Sequence, residues 1–179
     1  NVARLLIQEA RWNAERATRP VAFEEKFGFE GRRPLVVECS EGEIKIRGAI
    51  DRIDESEDGW IVIDYKTTRT PIKRSDAIEG RNLQLPIYLM AARHLRPDAP
   101  VSSAYYLHIT SRKKGSEIPH ADDERLSIEG VIAHAEGKIR EYTVLARSGK
   151  FPVAPNNNRC HQGCEYESMC RIGSLKFEI

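Results

Sequence analysis

A carboxylate and an ammonium group interrupt an otherwise apolar segment, GWIVIDYKT at residues 59–67. They belong to Asp64 and Lys66, two positions apart. Side chains two apart on a β-strand project from the same face. The spacing therefore predicts that both groups face one side of a strand over 60–66. The simpler alternative is an ion pair on an edge strand, because a D-x-K sequence also occurs often by chance.

A second acid is expected beside this pair. The preceding segment RGAIDRID carries Asp51 and Asp54, and a turn over 55–59 separates it from the next strand. If the two strands pair across that turn, Asp51 lies near Asp64 at one end of the sheet. Neighbouring carboxylates repel unless a positive group lies between them, and hard oxygen ligands favour Mg²⁺ or Mn²⁺. A lysine beside such an ion can orient water and stabilise charge on a phosphate. In the alternative reading, Asp51 caps a turn.

A glutamine and a tyrosine follow in QLPIY, at Gln84 and Tyr88. Four residues apart on a helix, they share one face, where an amide and a phenol can hold a phosphate or the lysine. The alternative is that Tyr88 belongs to the core and Gln84 to the surface.

Three of the four cysteines, Cys160, Cys164 and Cys170, have the spacing C-x3-C-x5-C. Thiolates this close in sequence can bind zinc or an iron–sulfur cluster; the alternative is three free thiols. The fourth, Cys39, ends a predicted strand and is expected to be a buried or incidental thiol.

The composition limits the class of protein. The 179 residues include 28 basic and 27 acidic side chains, and 40% of them are hydrophobic. This is typical of one globular domain, without an overall basic surface for nucleic acid. No membrane-length apolar run and no signal peptide are present, so a cytoplasmic protein without membrane contact is expected. We expect a single domain, with a core over about 1–150 and a tail over 151–179. Because the first residue is Asn1, we expect a fragment of a longer protein.

Hydrophobic periodicity predicts an α/β domain around a mixed sheet. The predicted helices are 1–17, 82–95 and 127–148. The predicted strands are 21–30, 35–40, 43–53, 60–66 and 101–110, with 35–66 as a three-stranded meander, and 111–124 is predicted to be a polar loop.

Taken in order, GAIDRID, VIDYKT and QLPIY resemble the RecB-like branch of the PD-(D/E)XK nuclease superfamily, over about residues 21–171. The resemblance implies a restriction-endonuclease-like mixed central sheet flanked by helices. It makes Asp51 and Asp64 the metal-binding acids, with the Tyr65 carbonyl as a further ligand, and Lys66 the catalytic lysine.

The same resemblance places Gln84 and Tyr88 in a Q-x-x-x-Y helix motif beside the active site, where both contact DNA. It leaves Asp54 as a structural acid that pairs with Arg52 or Arg69. Nucleases of this branch usually carry a histidine on a helix ahead of the first strand, and all five histidines here lie downstream of the acids. Either Glu9 replaces it, or the histidine lies upstream of Asn1; we favour the second alternative.

Several RecB-like nucleases also hold a [4Fe–4S] cluster with one cysteine before the core and three after it. The resemblance therefore implies a cluster on Cys160, Cys164 and Cys170, whose fourth cysteine is missing upstream. Zinc is the weaker alternative.

Together these features predict a Mg²⁺- or Mn²⁺-dependent deoxyribonuclease, an exonuclease rather than an endonuclease, that acts in DNA repair or recombination as part of or beside a helicase. Basic residues after the strand (Arg69, Lys73 and Arg74) and in the later loop (Arg112, Lys113 and Lys114) are expected to contact DNA phosphates; the alternative for the loop is solvated charge. One rival function is an inactive nuclease-like module that binds DNA or a helicase. Another is an interaction domain built around the cysteine tail alone.

Overall fold

The structure is a computed structural model that describes residues 2–67, 72–119 and 123–152. The chain divides into two compact units, Asn1–Glu141 and Tyr142–Ile179. The helices are α1 (Val2–Arg16), α2 (Arg74–Ile78), α3 (Gln84–Leu95) and α4 (Ile128–Arg147), with a short 3₁₀ turn at Glu124–Leu126. The strands are β1 (Arg19–Phe27), β2 (Leu35–Cys39), β3 (Gly42–Ile46), β4 (Gly48–Ser56), β5 (Gly59–Lys66), β6 (Val101–His108) and β7 (Lys113–Ile118).

A five-stranded mixed sheet in the order β1-β4-β5-β6-β7 forms the centre of the first unit. The β5–β6 pair is parallel and the other three pairs are antiparallel. Parallel neighbours need a long crossover, and the segment that contains α2 and α3 provides it. The predicted α/β class, with a mixed central sheet and flanking helices, is confirmed.

The central strands β5 and β6 are covered on both faces. On one face, Val62 and Ala104 belong to the main core together with Leu85 and Leu89 of α3. On the other, Ile63 and Leu107 form a second cluster with Leu5 of α1. The site residues of β5 thus lie on a strand that packing fixes from both sides. In the described parts of the chain, no helix has the length and apolarity to cross a membrane.

The predicted meander is wrong. The segment predicted as one strand over 43–53 divides at Arg47 into β3 and β4, and β2 and β3 pair as a separate two-stranded sheet. The partner of β4 on that side is β1. Close packing explains the choice: a Cβ atom on Gly48 would lie 2.8 Å from the ring of the fully buried Phe27. Only glycine lets β1 approach β4 this closely.

The prediction of a polar loop over 111–124 is also wrong in part, because a strand lies within it. Residues Lys113–Ile118 form β7, which pairs with β6 through backbone hydrogen bonds. Its sequence, KKGSEI, lacks the apolar alternation that predicts a strand. The short helix α2 has only five residues and was not predicted either.

Candidate active site

The carboxylates meet where the β4–β5 ladder ends. Its last paired residues are Arg52 and Ile63, and the next positions along the two strands are Asp51 and Asp64. Beyond that pair, the backbone N–H of Tyr65 donates to Asp51 Oδ2 at 2.9 Å instead of to a strand carbonyl. The Asp51 side chain thus replaces a ladder partner and lies beside the C-terminal end of β5, as the hairpin pairing predicted.

Asp64, Lys66 and Gln84 form a closed set of contacts. The Lys66 ammonium lies 2.5 Å from Asp64 Oδ2 and donates to Gln84 Oε1 at 2.6 Å. Gln84 Nε2 donates to Asp64 Oδ1 at 2.6 Å and to the Tyr88 hydroxyl at 3.3 Å. The amide therefore turns its oxygen to the ammonium and its nitrogen to the carboxylate, which holds both charged groups in one orientation.

Helix α3 places Gln84 and Tyr88 at the site. Gln84 is its first residue, and Pro86 falls in the first turn, where a helix requires no backbone N–H donor. This position explains how QLPIY is helical despite its proline. Leu85 and Leu89 are buried against the sheet, so packing fixes the face that carries Gln84 and Tyr88.

The electrostatics of the site favour a cation. Asp64 is 1% exposed, and this burial raises the pKa of its carboxyl, with Lys66 opposing the shift and Asp51 adding to it. Burial also raises the pKa of Tyr88, and the charges of Asp51, Asp64 and Glu24 raise it further. The single ammonium of Lys66 does not fully compensate for the buried carboxylate.

The donor set fits a hard divalent ion. Asp64 Oδ2 is buried beside the Lys66 ammonium and accepts no other hydrogen bond among the described residues. Mg²⁺ is commonly held by one or two carboxylates while it keeps several waters, which matches the pair Asp51 and Asp64. Among the described residues, no three His, Cys, Asp or Glu side chains are grouped to hold a metal ion. Further ligands would therefore be a backbone carbonyl such as that of Tyr65, or water.

A third carboxylate at this edge, Glu24, was missed by the sequence analysis. In the β1–β4 ladder it falls between the pairs Phe23–Arg52 and Glu25–Ile50, and thus opposite Asp51. Its φ of 50° is unusual for a residue other than glycine. The only sequence signal was its position in a loosely alternating strand, since the pairing of β1 with β4 cannot be read from local pattern.

Four polar groups form a buried network on the opposite face of the sheet. Arg52 donates twice to Asp54, at 2.5 and 2.7 Å, once to Glu9 at 2.6 Å and once to the Tyr65 hydroxyl at 3.0 Å. Side chains alternate faces along a strand, so Arg52 and Tyr65 point away from Asp51 and Asp64. The predicted Arg52–Asp54 pair is present. Glu9 binds Arg52 on the far face, away from Asp51 and Asp64, which contradicts the alternative in which Glu9 takes the place of a metal-binding histidine.

The remaining predicted residues lie in different places. Lys73 and Arg74 line a small cavity together with Asn82 and Tyr106, and Tyr106 faces the Lys66 ammonium at 5.2 Å from its ring centroid. Cys39 is a half-buried free thiol. Arg69 and the three tail cysteines, Cys160, Cys164 and Cys170, lie outside the described residues.

Two acids and a lysine thus lie together on adjacent strands of a mixed sheet, and a glutamine from the crossover helix contacts the lysine and one of the acids. The sequence model of the PD-(D/E)XK nuclease superfamily matches residues 1–171. The chain belongs to this superfamily.

Two curated relatives are each named as a subunit of an ATP-dependent helicase/deoxyribonuclease. The one from Symbiobacterium thermophilum is 46% identical over 136 residues, which is 69% of this chain and 12% of the relative. The one from Clostridioides difficile is 39% identical over 140 residues, which is 68% of this chain and 12% of the relative. The chain therefore spans about one eighth of the length of these relatives. A solved structure titled "Crystal structure of SSO0001" matches 94% of this chain and 67% of that chain, at 19% identity and a TM-score of 0.39; this weak similarity carries no conclusion.

Proposed function

We propose that the chain is the nuclease domain of a helicase-associated deoxyribonuclease and hydrolyses phosphodiester bonds with Mg²⁺ or Mn²⁺. The observation that carries the proposal is the set of contacts among Asp64, Lys66 and Gln84 beside Asp51. Membership of the nuclease superfamily supports it, as do relatives whose names include both helicase and deoxyribonuclease.

The two carboxylates are the proposed metal ligands. Asp51 and Asp64 would hold the cation, with the Tyr65 carbonyl as the proposed third protein ligand. When bound, the cation supplies Lewis acidity toward a phosphate oxygen and eases the deprotonation of water. Asp64 must be ionised to serve as a ligand, and its raised pKa makes this less favourable in acidic solution.

Lys66 is proposed to act on the phosphate and the attacking water. Its ammonium can donate a hydrogen bond to the water that attacks phosphorus, or to a non-bridging oxygen on which negative charge develops. Gln84 positions Lys66 through Oε1 and Asp64 through Nε2. Tyr88, next to Gln84, is proposed to bind the phosphate backbone beside the scissile bond.

DNA, a helicase and a role in repair or recombination are parts of this proposal. Lys73 and Arg74, with Arg69, are the proposed phosphate contacts on the crossover side of the site. We propose an exonuclease, because domains that work beside a helicase meet free strand ends. Cys160, Cys164 and Cys170 remain proposed ligands of a [4Fe–4S] cluster; iron and acid-labile sulfide analysis after anaerobic purification would test them.

One observation favours the rival proposal of a non-catalytic DNA-binding module. In the part of the chain that the structure describes, the site lacks a set of three side-chain ligands. Such a module would bind DNA without cleaving it.

The test is cleavage of linear and circular DNA, single- and double-stranded, with Mg²⁺ or Mn²⁺. Lys66→Ala and Asp64→Asn are compared with the wild type, and Lys45→Ala serves as the control because Lys45 is exposed on β3. The proposal expects metal-dependent cleavage by the wild type and the control and its loss in both site variants. Degradation of linear but not circular DNA identifies an exonuclease. Cleavage that survives Lys66→Ala would reject the site, and DNA binding without cleavage would favour the rival module.

A further inference from the structure

A groove of about 370 Å³ lies between α1 and the turn that joins β6 to β7. Its lining includes Arg4 and Arg11 from the outer face of α1 and Arg112 from the turn. Gln8 lies between the two helical arginines, and Glu15 is the one acid in the lining. The groove thus brings together three cations and one anion from two separate elements.

Among the described residues, the three arginines lack the ion pairs that several other arginines of this fold form. Arg19, Arg93 and Arg125 each contact a carboxylate within 2.8 Å. Over the described residues, no carboxylate lies within salt-bridge distance of Arg4, Arg11 or Arg112. An arginine pairs readily with a carboxylate or a phosphate, because its planar fork of donors fits both. Three guanidinium groups without a carboxylate partner around one groove could together bind an anionic ligand with several charges.

The helix sets the spacing of these charges. Arg4 and Arg11 are seven residues apart, which is about two turns and about 10 Å along one face of α1. Arg4 and Arg11 are exposed and Arg112 is half-buried. The groove therefore fits an extended polyanion better than a single small anion.

One wall of the groove is joined by hydrogen bonds to the end of β5 that carries the candidate active site, although α1 packs on the opposite face of the sheet. The turn that carries Arg112 begins where Ile109 N–H donates to the Lys66 carbonyl at 2.9 Å. The Thr110 hydroxyl then donates to the Thr67 carbonyl at 3.0 Å. The backbone directly after the proposed catalytic lysine is thus hydrogen-bonded to the turn that forms one wall of the groove.

We propose that this groove binds the phosphate backbone of a DNA strand as it passes the active site. The inference rests on the proposed nuclease function and extends it by assigning a second set of phosphate contacts on α1. These contacts would position the strand without reading its sequence, since they involve phosphates and not base edges.

The test compares two triple variants that remove the same charge. Arg4→Gln, Arg11→Gln and Arg112→Gln are combined in one chain; Arg19→Gln, Arg93→Gln and Arg125→Gln are combined in the control. Binding of fluorescein-labelled oligothymidine, and of a labelled duplex, is measured by fluorescence anisotropy in EDTA over a range of salt concentrations. Metal-dependent cleavage by the wild type is measured in parallel.

Each phosphate contact contributes about 0.7 to the slope of log affinity against log salt on a single strand. The groove variant is therefore expected to lose about 2 from that slope and at least about tenfold in affinity at 0.1 M salt. The control variant is expected to bind like the wild type, and melting curves establish that all three proteins are folded.

Equal DNA binding by the two triple variants would overturn the proposal that the groove binds DNA. A wild type that binds neither the single strand nor the duplex would also overturn it. If the wild type cleaves DNA but both triple variants bind it equally, the groove inference fails and the nuclease stands. If binding falls only in the groove variant and the wild type does not cleave even with Mn²⁺, the groove stands and the nuclease fails.

Discussion

The buried network around Arg52 provides a stability prediction that follows from its hydrogen bonds. Arg52 is 4% exposed and donates four hydrogen bonds, two to Asp54 and one each to Glu9 and Tyr65. It joins α1 to β4 and β5. Asp51 precedes it in the sequence, and Asp64 follows its ladder partner Ile63 on β5. The perturbation is Arg52→Met, which keeps much of the side-chain stem and removes every donor.

The expected loss of stability comes from the carboxylates of Asp54 and Glu9, which lose their partner. Asp54 is 1% and Glu9 8% exposed, so neither can be rehydrated without opening the packing of α1. Removing one partner of a buried ion pair costs about 3–5 kcal/mol. That is a large part of the roughly 5–15 kcal/mol that stabilises a typical domain. For a chain of this size it corresponds to a fall of roughly 6–20 °C in Tm.

Equilibrium urea unfolding at neutral pH measures the effect, with Arg19→Met as the matched control. Arg19 also pairs with a glutamate, but its side chain is 75% exposed, and such pairs contribute at most about 1 kcal/mol. If Arg52→Met and Arg19→Met lower the free energy of unfolding equally, the network does not stabilise the fold as reasoned.

Three further predictions concern the site and its support. Because burial raises the pKa of Asp64, the contribution of this carboxyl to the free energy of unfolding of the metal-free protein should fall as pH rises from its unfolded-state pKa to its folded-state pKa, by at most about 1.4 kcal/mol per pH unit. Asp64→Asn should lack this contribution, so the same pH slope for the wild type and Asp64→Asn in urea unfolding would contradict the reasoning. Gln84→Leu removes the hydrogen-bond acceptor for Lys66 and the donor to Asp64. The kcat for DNA cleavage and the affinity for Mn²⁺ should therefore each fall by roughly 10- to 100-fold. An unchanged kcat and an unchanged Mn²⁺ affinity would show that the amide positions neither Lys66 nor Asp64. Gly48→Ala places a Cβ 2.8 Å from the Phe27 ring and should destabilise the fold by about 1–3 kcal/mol. At Gly137 of α4 a Cβ meets nothing within 4 Å, so Gly137→Ala should raise Tm. Equal changes of Tm in the two variants, measured by thermal melting, would refute the packing argument.

The geometry of the site could be predicted where it depends on local rules. The two-residue period of a strand puts Asp64 and Lys66 on one face. The short turn after Ser56 forces β4 and β5 to pair, and this places Asp51 beside them. The four-residue spacing of Gln84 and Tyr88 puts both on one face of a helix.

The remaining features depend on pairings between distant segments. Arg52 could bind Asp54 by local geometry, but its contact with Glu9 requires α1 to pack on the far face of the sheet. Glu24 lies opposite Asp51 only because β1, and not β2, is the partner of β4. β7 is held by backbone hydrogen bonds to β6, so its side chains carry little pattern from which a strand can be predicted.

The most direct test of the metal site is calorimetric titration of the metal-free protein with Mn²⁺. Wild type, Asp51→Asn and Asp64→Asn are compared with Asp98→Asn, which removes an exposed acid far from both strands in sequence. If Asp51 and Asp64 hold the cation, the wild type and Asp98→Asn bind Mn²⁺ alike, and each site variant loses at least about tenfold in affinity, equivalent to about 1.4 kcal/mol. Mn²⁺ binding that is unchanged in both site variants, or absent from the wild type, would contradict the proposed metal site.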